Sequence, residues 1–414
     1  MFIEELKVEN FKGYHGDCSI KFKIPDGINE GSGLNVFVGE NNSGKSTIFE
    51  IFDLIKDGTK KDTECLLSKV DPSNMPSSYS VEVIFSGDIS NVIKNFAQDN
   101  KVSILQKHVC TEGGSDKLRV RRCSDDVKKI HFWNTIDGFS NLGGIDAPFK
   151  KLYENNFIWA DTNPNNEAKF GASTVCGFLL KEIADEYSNS SEYKEFQKSF
   201  HALFNSRDSQ LRKRIAGIEE QVKNIFSSQF GNANISFTFD ELQIDNFFKT
   251  VNIMIDDGVS VSMSEKGHGM QRALALALIQ VYAEITANKE QRDRAKPFFL
   301  FIDEPEICLH PSGQMKLLDA LMKISKNKQV FIATHSPFML SSAKIKNSGI
   351  FIFQKHNFCT DVSSVDTSPT FPWSPTWGEI SYKVYNLPTV ELHNELYGYL
   401  QKISKKNKQR LISG

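Results

Sequence analysis

The chain has 414 residues, of which 40% are apolar and 24% carry a charge, and its formal net charge is −2. These values are ordinary for a soluble globular protein of one large domain or two, and they exclude binding of nucleic acid through a strongly basic overall charge. The longest apolar run, Ala273 to Ile279, is far shorter than the ~20 residues of a membrane-spanning helix, so we expect no membrane segment.

The cysteine pattern and the N-terminus indicate the compartment. The 7 cysteines are scattered and include no CxxC pair, which favours a reducing environment. The opening residues, MFIEELKVEN, lack the apolar stretch of a secretory signal. We therefore expect a cytoplasmic protein.

The first predicted elements are a hairpin, a strand, a loop and a helix. Phe2 to Val8 and Ile20 to Ile24 both alternate between apolar and polar residues, which predicts paired strands. Leu34 to Val38 is a short apolar strand. The helix that begins at Lys45 has its apolar residues at helical spacing on one face, namely Ile48, Phe49, Ile51, Phe52 and Ile55.

The middle of the chain has a less regular pattern. Between residues 65 and 156, strand-like pieces alternate with polar loops, namely Ser80–Phe85, Val102–Gln106 and Leu118–Arg122. Residues 168–230 are largely helical in pattern. We therefore predict a lobe of strands and helices, residues 65–245, inserted between two halves of one domain.

Regular patterns return near residue 250. Val251–Ile255 and Val259–Val261 predict a hairpin, and an apolar helix follows over Gln271–Ile285. Phe298–Ile302 and Val330–Ala333 are largely apolar, which is typical of strands inside a parallel sheet. The predicted organisation is a first half-domain (1–64), the inserted lobe (65–245), a second half-domain (246–346) and a tail (347–414).

The loop after the third predicted strand matches G-x-x-x-x-G-K-[ST] from Gly39 to Ser46. Its glycines let backbone N–H groups point at phosphate oxygens, and the helix N-terminus adds its positive dipole end. The Lys45 ammonium can reach the β- and γ-phosphates, and the Ser46 hydroxyl can bind Mg²⁺. The pattern predicts that ATP is bound by Gly39, Asn41, Asn42, Ser43, Gly44, Lys45, Ser46 and Thr47.

A second motif follows the apolar strand Phe298–Ile302. Asp303 and Glu304 end this strand, which is the Walker B arrangement. Asp303 would hold Mg²⁺, and Glu304 would orient and polarise the attacking water. Glu306 is interpreted as structural.

A histidine follows the next predicted strand. His335 lies at a strand end from which its imidazole can reach the γ-phosphate and sense its loss. His310 is interpreted instead as a cap or spacer for the helix Gly313–Ile324. The predicted catalytic residues are therefore Glu304, His335 and Lys45.

A third motif, Ser262 to Arg272, precedes the predicted apolar helix. A serine and glycines that open a helix form a second anion-binding surface. One subunit needs only one such cradle for its own ATP, so the second suggests that it serves ATP held by a partner subunit. We predict that Ser264, Gly267 and Gly269 close the partner's site in a homodimer that sandwiches ATP.

The order of these motifs resembles the ABC-type ATPase head shared by RecF, the SMC proteins and the overcoming-lysogenisation-defect (OLD) nucleases. IDEPEICLHP and SEKGHGMQRALALAL are closer to the OLD branch than to transporter ATPases. The resemblance implies an α/β P-loop fold in which a mixed sheet is flanked by helices. The opening Val8 to Gly13 is similar to the start of those heads, which implies that Lys12 touches the nucleotide. Phe157 to Asp161 would lead to the Q-loop, where Asp161 or Thr162 would replace the usual glutamine.

Two departures from the family bear on function. The middle of the chain lacks a sustained heptad pattern, so a long SMC-type coiled coil is not expected. Few residues follow Ile345, whereas OLD nucleases carry a Toprim metal-binding domain after the head, so we expect an ATPase subunit that acts with a separate nuclease. The aromatic and polar tail resembles the end of ATPase subunits in anti-phage systems such as Septu (PtuA), which implies docking of a partner.

The tail also contains Glu391, His393 and Glu395. These residue types can bind metals, but on a helix His393 points away from the face that the two glutamates share. A docking surface for a partner protein is therefore favoured over a metal or nuclease site.

Two local basic groups are candidates for contact with nucleic acid. Lys117, Arg119 and Arg121 alternate along a predicted strand, where they could hold phosphates or could simply line a solvated edge strand. The second group lies in the helical middle and consists of Arg207, Arg212, Lys213 and Arg214.

The main functional hypothesis is an ATPase that dimerises on ATP and regulates a separate nuclease in anti-phage defence. The alternatives are a RecF-like repair factor that uses ATP to clamp DNA, and a scaffold that binds ATP but hardly hydrolyses it. ATP-dependent DNA binding by the purified chain would favour repair, and undetectable turnover would favour the scaffold.

Overall fold

A computed structural model gives the structure of the chain. It describes residues 1–414 except 60–61, 72, 74, 98, 142, 160–186, 188–189, 207, 231–232, 235, 238, 240–250, 252, 268, 272, 275–276, 279–280, 282–295, 308, 341–344, 366–368, 375 and 413–414. The chain divides into two compact units, the first formed by Met1–Thr162 with Ala283–Gly414 and the second by Asn163–Tyr282.

The described strands are, in chain order, β1 (Phe2–Glu9), β2 (Asp17–Lys21), β3 (Leu34–Gly39), β4 (Ser80–Gly87), β5 (Val109–Glu112), β6 (Ser115–Cys123), β7 (His131–Asn134), β8 (Gly138–Ser140), β9 (Glu154–Ile158), β10 (Met254–Asp256), β11 (Ser260–Ser262), β12 (Phe298–Asp303), β13 (Gln329–Thr334), β14 (Gly349–His356) and β15 (Cys359–Ser364). The described α-helices are α1 (Lys45–Asp57), α2 (Thr63–Leu66), α3 (Ile89–Phe96), α4 (Asp99–Gln106), α5 (Asp146–Lys150), α6 (Ser191–Phe204), α7 (Gln210–Phe230), α8 (Pro311–Ile324), α9 (Trp377–Tyr385) and α10 (Val390–Ile412).

The first unit contains two sheets. One has the strand order β15-β14-β3-β13-β12-β9 and is parallel except for β15, which runs antiparallel to β14. The other is antiparallel, with the order β2-β1-β4-β6-β7-β8 and β5 on the side of β6. This mixed α/β architecture is the predicted fold class.

The core of the first unit is rich in phenylalanine. Helix α1 packs against β3 and β9 of the parallel sheet and against β4 and β6 of the antiparallel sheet. Phe49 and Phe52 of α1 lie with ring centroids 5.4 and 5.1 Å from Phe301 of β12. Burial of such large rings stabilises the layer that carries the loop before α1.

The parallel strands are apolar because they are covered on both faces. Every residue of β3 and of β13 is buried, as are most of those in β12. Helix α8 packs on β13, and helix α9 packs on β3 and β14. The continuous apolar runs seen in the sequence are thus explained by a doubly covered sheet.

Most of the predicted elements are confirmed. Strands β3, β4, β6, β12 and β13 and helix α1 lie where the pattern placed them, and β10 and β11 pair as predicted in the second unit. The pairing of β1 with β2 is also confirmed, but β2 spans Asp17–Lys21 and thus begins three residues before the predicted Ile20–Ile24. The prediction of a strand at Val102–Gln106 is wrong, because these residues belong to α4, where Leu105 is the buried position. Most of the predicted helix Gln271–Ile285 and the Q-loop candidates Asp161 and Thr162 lie outside the described residues.

The compact units differ from the predicted domain boundaries at 65 and 245. Strand β4 pairs along its length with β1, and β6 pairs with β4, so residues 80–158 fold with the first 64 residues. The second unit begins only at Asn163. The pairing partner of β4 is more than 70 residues away in the chain, a distance at which local patterning gives no information.

Candidate nucleotide-binding site

The loop from Gly39 to Ser46 joins β3 to α1 and has the backbone that phosphate binding needs. Asn42 and Gly44 both have positive φ, of 61° and 98°. Asn41 and Asn42 are exposed at the mouth of the loop, whereas Ser43 is buried. A Cβ on residue 39 would lie 2.3 Å from the Phe353 carbonyl oxygen, so the close approach of β14 requires glycine there.

Lys45 is held by the loop itself. Its Nζ donates hydrogen bonds to the carbonyl oxygens of Gly39 (3.0 Å) and Glu40 (2.8 Å). Burial lowers the pKa of Lys45 to about 8, and the nearby carboxylates of Asp303 and Glu304 oppose this shift. The ammonium therefore lies between the loop and the acidic residues that follow β12.

Several buried polar atoms around the loop have no hydrogen-bond partner among the described residues. They include the hydroxyls of Ser43 and of Thr360 on β15. Thr360 lies beside the loop, since a Cβ on Gly44 would be 2.9 Å from its Oγ1. Unpaired buried hydroxyls are costly unless a ligand or water completes them, so these residues fit a phosphate-bearing ligand.

The N-terminal segment also contacts the loop, beside Thr360. Tyr14 is fully buried, and its hydroxyl donates to the Gly44 carbonyl oxygen at 2.9 Å. Lys12 forms an ion pair with Glu50 of α1. Lys12 thus lies close to the phosphate-loop helix, and it would leave Glu50 in order to touch a nucleotide.

The acidic motif lies at the same edge of the parallel sheet. In the sheet register Asp303 is paired with Ala333, and Thr334 with Val38 at the end of β3. The turns after β12 and β13 therefore meet next to the phosphate loop. Asp303 is buried at the end of β12, close enough to Lys45 to affect its pKa, and a carboxylate at this sheet edge suits Mg²⁺.

Glu304 and His335 face each other across these turns. The Glu304 Oε1 is 3.7 Å from the His335 Nε2. Glu304 has a positive φ of 47°, which is uncommon for a residue with a side chain, and its N–H donates to the Ala333 carbonyl oxygen at 2.8 Å. Burial and the charge of Lys45 lower the pKa of His335, so the imidazole is neutral near pH 7.

The third motif lies in the second unit. The hydroxyls of Ser262 and Ser264 are 3.0 Å apart, after the β10–β11 hairpin. Gln271 is buried, and its Nε2 donates to the Lys266 carbonyl oxygen at 2.7 Å, which closes the turn that contains Gly267. Ser264 and Gly267 are exposed and Gly269 is partly exposed, as a surface that meets a partner requires.

The basic strand proposed to hold phosphates is largely neutralised. Arg119 and Arg121 of β6 both pair with Glu82, at 2.8 and 2.7 Å, and Lys117 pairs with Glu4. The Glu82 side chain is only 3% exposed. The interpretation as a phosphate-binding stripe is therefore weakened, because these cations already have partners.

Removal of the Glu82 carboxylate should destabilise the antiparallel sheet. We expect Glu82→Ala to lower the free energy of unfolding by about 1–2 kcal/mol, because two partly exposed arginines would lose their carboxylate and keep only their aromatic contacts. Urea denaturation followed by circular dichroism measures this change. Glu112→Ala, at an exposed site of β5, is the matched control, and equal stabilities of the two variants would contradict the assignment.

In the tail, Glu395 links helix α10 to the start of α9 through a hydrogen bond. Its Oε2 accepts a hydrogen bond from the Thr376 hydroxyl at 2.7 Å. Among the described residues, no group of three or more His, Cys, Asp or Glu side chains is placed to hold a metal ion. Helix α10 exposes a row of apolar side chains, Val390, Leu396, Tyr397, Leu400 and Ile403.

Some supporting residues had no signal in the sequence. Thr360 and Tyr14 reach the phosphate loop from strands and turns far away in the chain, and no local pattern marks them. His310 does cap α8 as predicted, accepting from the Ser312 N–H.

In the part of the chain that the structure describes, no helix is long and apolar enough to cross a membrane.

Comparison with known families agrees with this site. Residues 1–172 and 150–340 match the AAA ATPase domain family. The chain belongs to this AAA ATPase family. The matched ranges contain the loop at Gly39–Ser46, the carboxylates at 303–304 and His335.

Curated relatives extend the comparison. The Old nuclease of Escherichia phage P2 is 26% identical over 333 residues, which are 76% of this chain and 55% of that protein. Endonuclease GajA of Bacillus cereus (strain VD045) is 25% identical over 328 residues, covering 74% of this chain and 52% of that protein. This AAA ATPase chain thus spans little more than half the length of the curated relatives it matches.

A solved structure shows the same fold. An SMC head, crystallised bound to the C-winged helix domain of ScpA, superposes with a TM-score of 0.53 over 88% of this chain and 97% of that chain, at 17% identity. The predicted ABC-type head is therefore confirmed as the fold of this AAA ATPase.

Proposed function

We propose that this AAA ATPase binds ATP with Mg²⁺ and hydrolyses it, and that ATP brings two copies together. The observation that carries the proposal is that the phosphate loop, the acidic turn after β12 and His335 meet at one edge of the parallel sheet. Strands β3, β13 and β12 are neighbours, and their carboxyl ends place Lys45, His335 and Glu304 together. Phosphoryl transfer to water depends on positioning and charge stabilisation, which these residue types supply.

Each residue has a defined task in this proposal. Lys45 leaves the carbonyl oxygens of Gly39 and Glu40 and binds the β- and γ-phosphates. The loop N–H groups from Asn41 to Thr47 surround the phosphates, and Ser46 and Asp303 would hold Mg²⁺, which neutralises phosphate charge. Glu304 orients water for attack.

The neutral imidazole of His335 reaches the γ-phosphate and senses its loss, and Lys12 contacts the nucleotide after it leaves Glu50. Ser264, Gly267 and Gly269 close the site of a partner copy. In this arrangement the part of the second half-domain (proposed at 246–346) that contains these three residues faces the other subunit. The exposure of Ser264 and Gly267 supports it.

We further propose that the ATPase cycle controls a nuclease in anti-phage defence. The curated relatives are named as nucleases, and this chain corresponds to little more than half of their length. The exposed apolar side chains of α10 in the tail, proposed at 347–414, offer a surface for the nuclease. The pairing of Arg119 and Arg121 with Glu82, and of Lys117 with Glu4, favours this role over a DNA clamp.

Native mass spectrometry of the protein expressed from its own operon, with and without ATP, tests the role. A co-purifying nuclease whose assembly with the ATPase changes with ATP is the expected result. An ATP-dependent dimer without a nuclease, together with salt-sensitive DNA binding, would point to the DNA clamp instead. Tight ATP binding without turnover would leave only a scaffold.

A further inference from the structure

His335 is fixed through its backbone as well as facing Glu304 with its side chain. The Glu306 Oε1 accepts a hydrogen bond from the His335 N–H at 2.6 Å. Its second oxygen, Oε2, is buried and has no hydrogen-bond partner among the described residues. Burial raises the pKa of Glu306, against the effect of the His335 N–H. The Thr334 hydroxyl also favours the charged form of Glu306, so the groups that act on this buried carboxyl belong largely to the strand end and turn that carry His335.

A glutamine completes the support from the other side. Gln314 of α8 is buried, and its Nε2 donates to the Leu309 carbonyl oxygen at 2.9 Å. Its Oε1 accepts from the Ser336 hydroxyl at 2.5 Å. The Ser336 N–H in turn donates to the Thr334 hydroxyl at 3.0 Å. Thr334 and Ser336, on either side of His335, are thus both held by hydrogen bonds.

These hydrogen bonds influence the distance between the Glu304 carboxylate and the His335 imidazole. Glu304 and His335 stand on separate turns, and no hydrogen bond joins their side chains at 3.7 Å. Their separation therefore depends on how each turn is held. The Glu304 turn is held by its N–H bond to the Ala333 carbonyl oxygen, and the His335 turn by Glu306. Small displacements of catalytic groups are costly in rate.

We propose that Glu306 is a positioning residue of the ATPase site, which holds the His335 backbone so that the imidazole stays opposite Glu304 and the γ-phosphate. Gln314 holds the following residue, Ser336, for the same purpose. This inference rests on the proposed ATPase function. It replaces the structural role that the sequence suggested for Glu306 with a role in turnover.

The test compares Glu306→Leu with Glu306→Gln in steady-state ATP hydrolysis. The leucine cannot accept from His335, whereas the glutamine keeps an acceptor oxygen at the same place. We expect kcat to fall by at least about tenfold in Glu306→Leu and by less than about threefold in Glu306→Gln, with KM for ATP nearly unchanged in both. Equal kcat values in the two variants would overturn the proposal.

A control separates positioning from loss of stability. Glu379 of α9 is also a buried glutamate, and its Oε1 accepts from the Thr370 N–H at 2.7 Å. Glu379→Leu should lower the melting temperature about as much as Glu306→Leu but leave kcat close to that of the parent protein. An equal loss of kcat in both leucine variants would assign the effect to destabilisation and contradict the proposal.

A double-mutant cycle shows whether Glu306 acts through His335. In a His335→Ala background, Glu306→Leu should cause little further loss of kcat, because the imidazole that Glu306 positions through the backbone is already absent. Full additivity of the two losses would contradict action through His335. The parent protein provides the separate check: absence of ATP hydrolysis by the parent protein would overturn the proposed ATPase function and this inference with it, whereas an active parent with equal variants would overturn the inference alone.

Discussion

Lys45→Ala is expected to weaken the binding of ATP by about 100-fold or more. The ammonium supplies charge-assisted hydrogen bonds to two phosphates, each worth roughly 1.5–3 kcal/mol, and alanine supplies none. Isothermal titration with a non-hydrolysable ATP analogue and Mg²⁺ measures the loss. ATP should also cease to raise the melting temperature, because a ligand that no longer binds cannot stabilise the fold.

Lys56 provides a matched control for this variant. It lies on the same helix, is also buried, and its Nζ donates to the Tyr153 carbonyl oxygen at 2.9 Å and pairs with Glu154. Lys56→Met should therefore reduce stability without weakening ATP binding. If both variants lost affinity equally, the effect of Lys45→Ala would be ascribed to a distorted α1.

The lowered pKa of Lys45 adds a dependence on pH. In the nucleotide-free protein this pKa is about 8, and the negative phosphates of ATP would raise it on binding. Binding then takes up a proton above pH 8, so affinity should fall as pH rises from 8 to 9.5, approaching a tenfold loss per unit. A flat affinity across this range would show that the ammonium is not the group that meets the phosphates.

Glu304→Gln is expected to lower kcat by about 10²- to 10³-fold while the affinity for ATP changes little. The amide cannot polarise the attacking water, but it leaves the contacts of Lys45 and the loop in place. The ATP-bound state should therefore accumulate as a dimer. Phosphate release measures kcat, and light scattering after gel filtration with ATP measures the mass.

The dimer must also depend on bound ATP. Adding Lys45→Ala to Glu304→Gln should return the protein to the mass seen without nucleotide. A dimer that persists in this double variant, or a single Glu304→Gln variant that stays monomeric with ATP, would contradict the sandwich arrangement. Either result would contradict ATP-dependent dimerisation but would not contradict the proposed hydrolysis of ATP.

Those parts of the candidate site that consist of consecutive residues could be predicted from the sequence. The loop at Gly39–Ser46 and the strand before Asp303 are each read from about ten consecutive residues, whose spacing reflects one strand and one turn. The structure adds which turns meet: the register that sets Asp303 beside Ala333 comes from pairing between distant strands.

The features that the sequence missed are all of the long-range kind. Nothing near Arg119 or Arg121 predicts that both share Glu82, because the partner lies on the neighbouring strand β4. Val102–Gln106 contains the β-branched and apolar residues of a strand, but α4 buries only one face of it. The positive φ of Glu304 likewise follows from the surrounding turns and has no signature in the residues.

The strand order of the parallel sheet also determines when the phosphate loop can form during protein synthesis. Strand β3 lies between β13 and β14, so its neighbours leave the ribosome roughly 290 residues after it. At about 5–20 residues per second, this delay is on the order of 15–60 s. Throughout this delay, the largely apolar strand β3, which is buried along its whole length in the folded protein, lacks its neighbouring strands. Translation that stops before β13 would therefore yield a chain prone to aggregate, and the first 64 residues cannot mature as an independent folding unit.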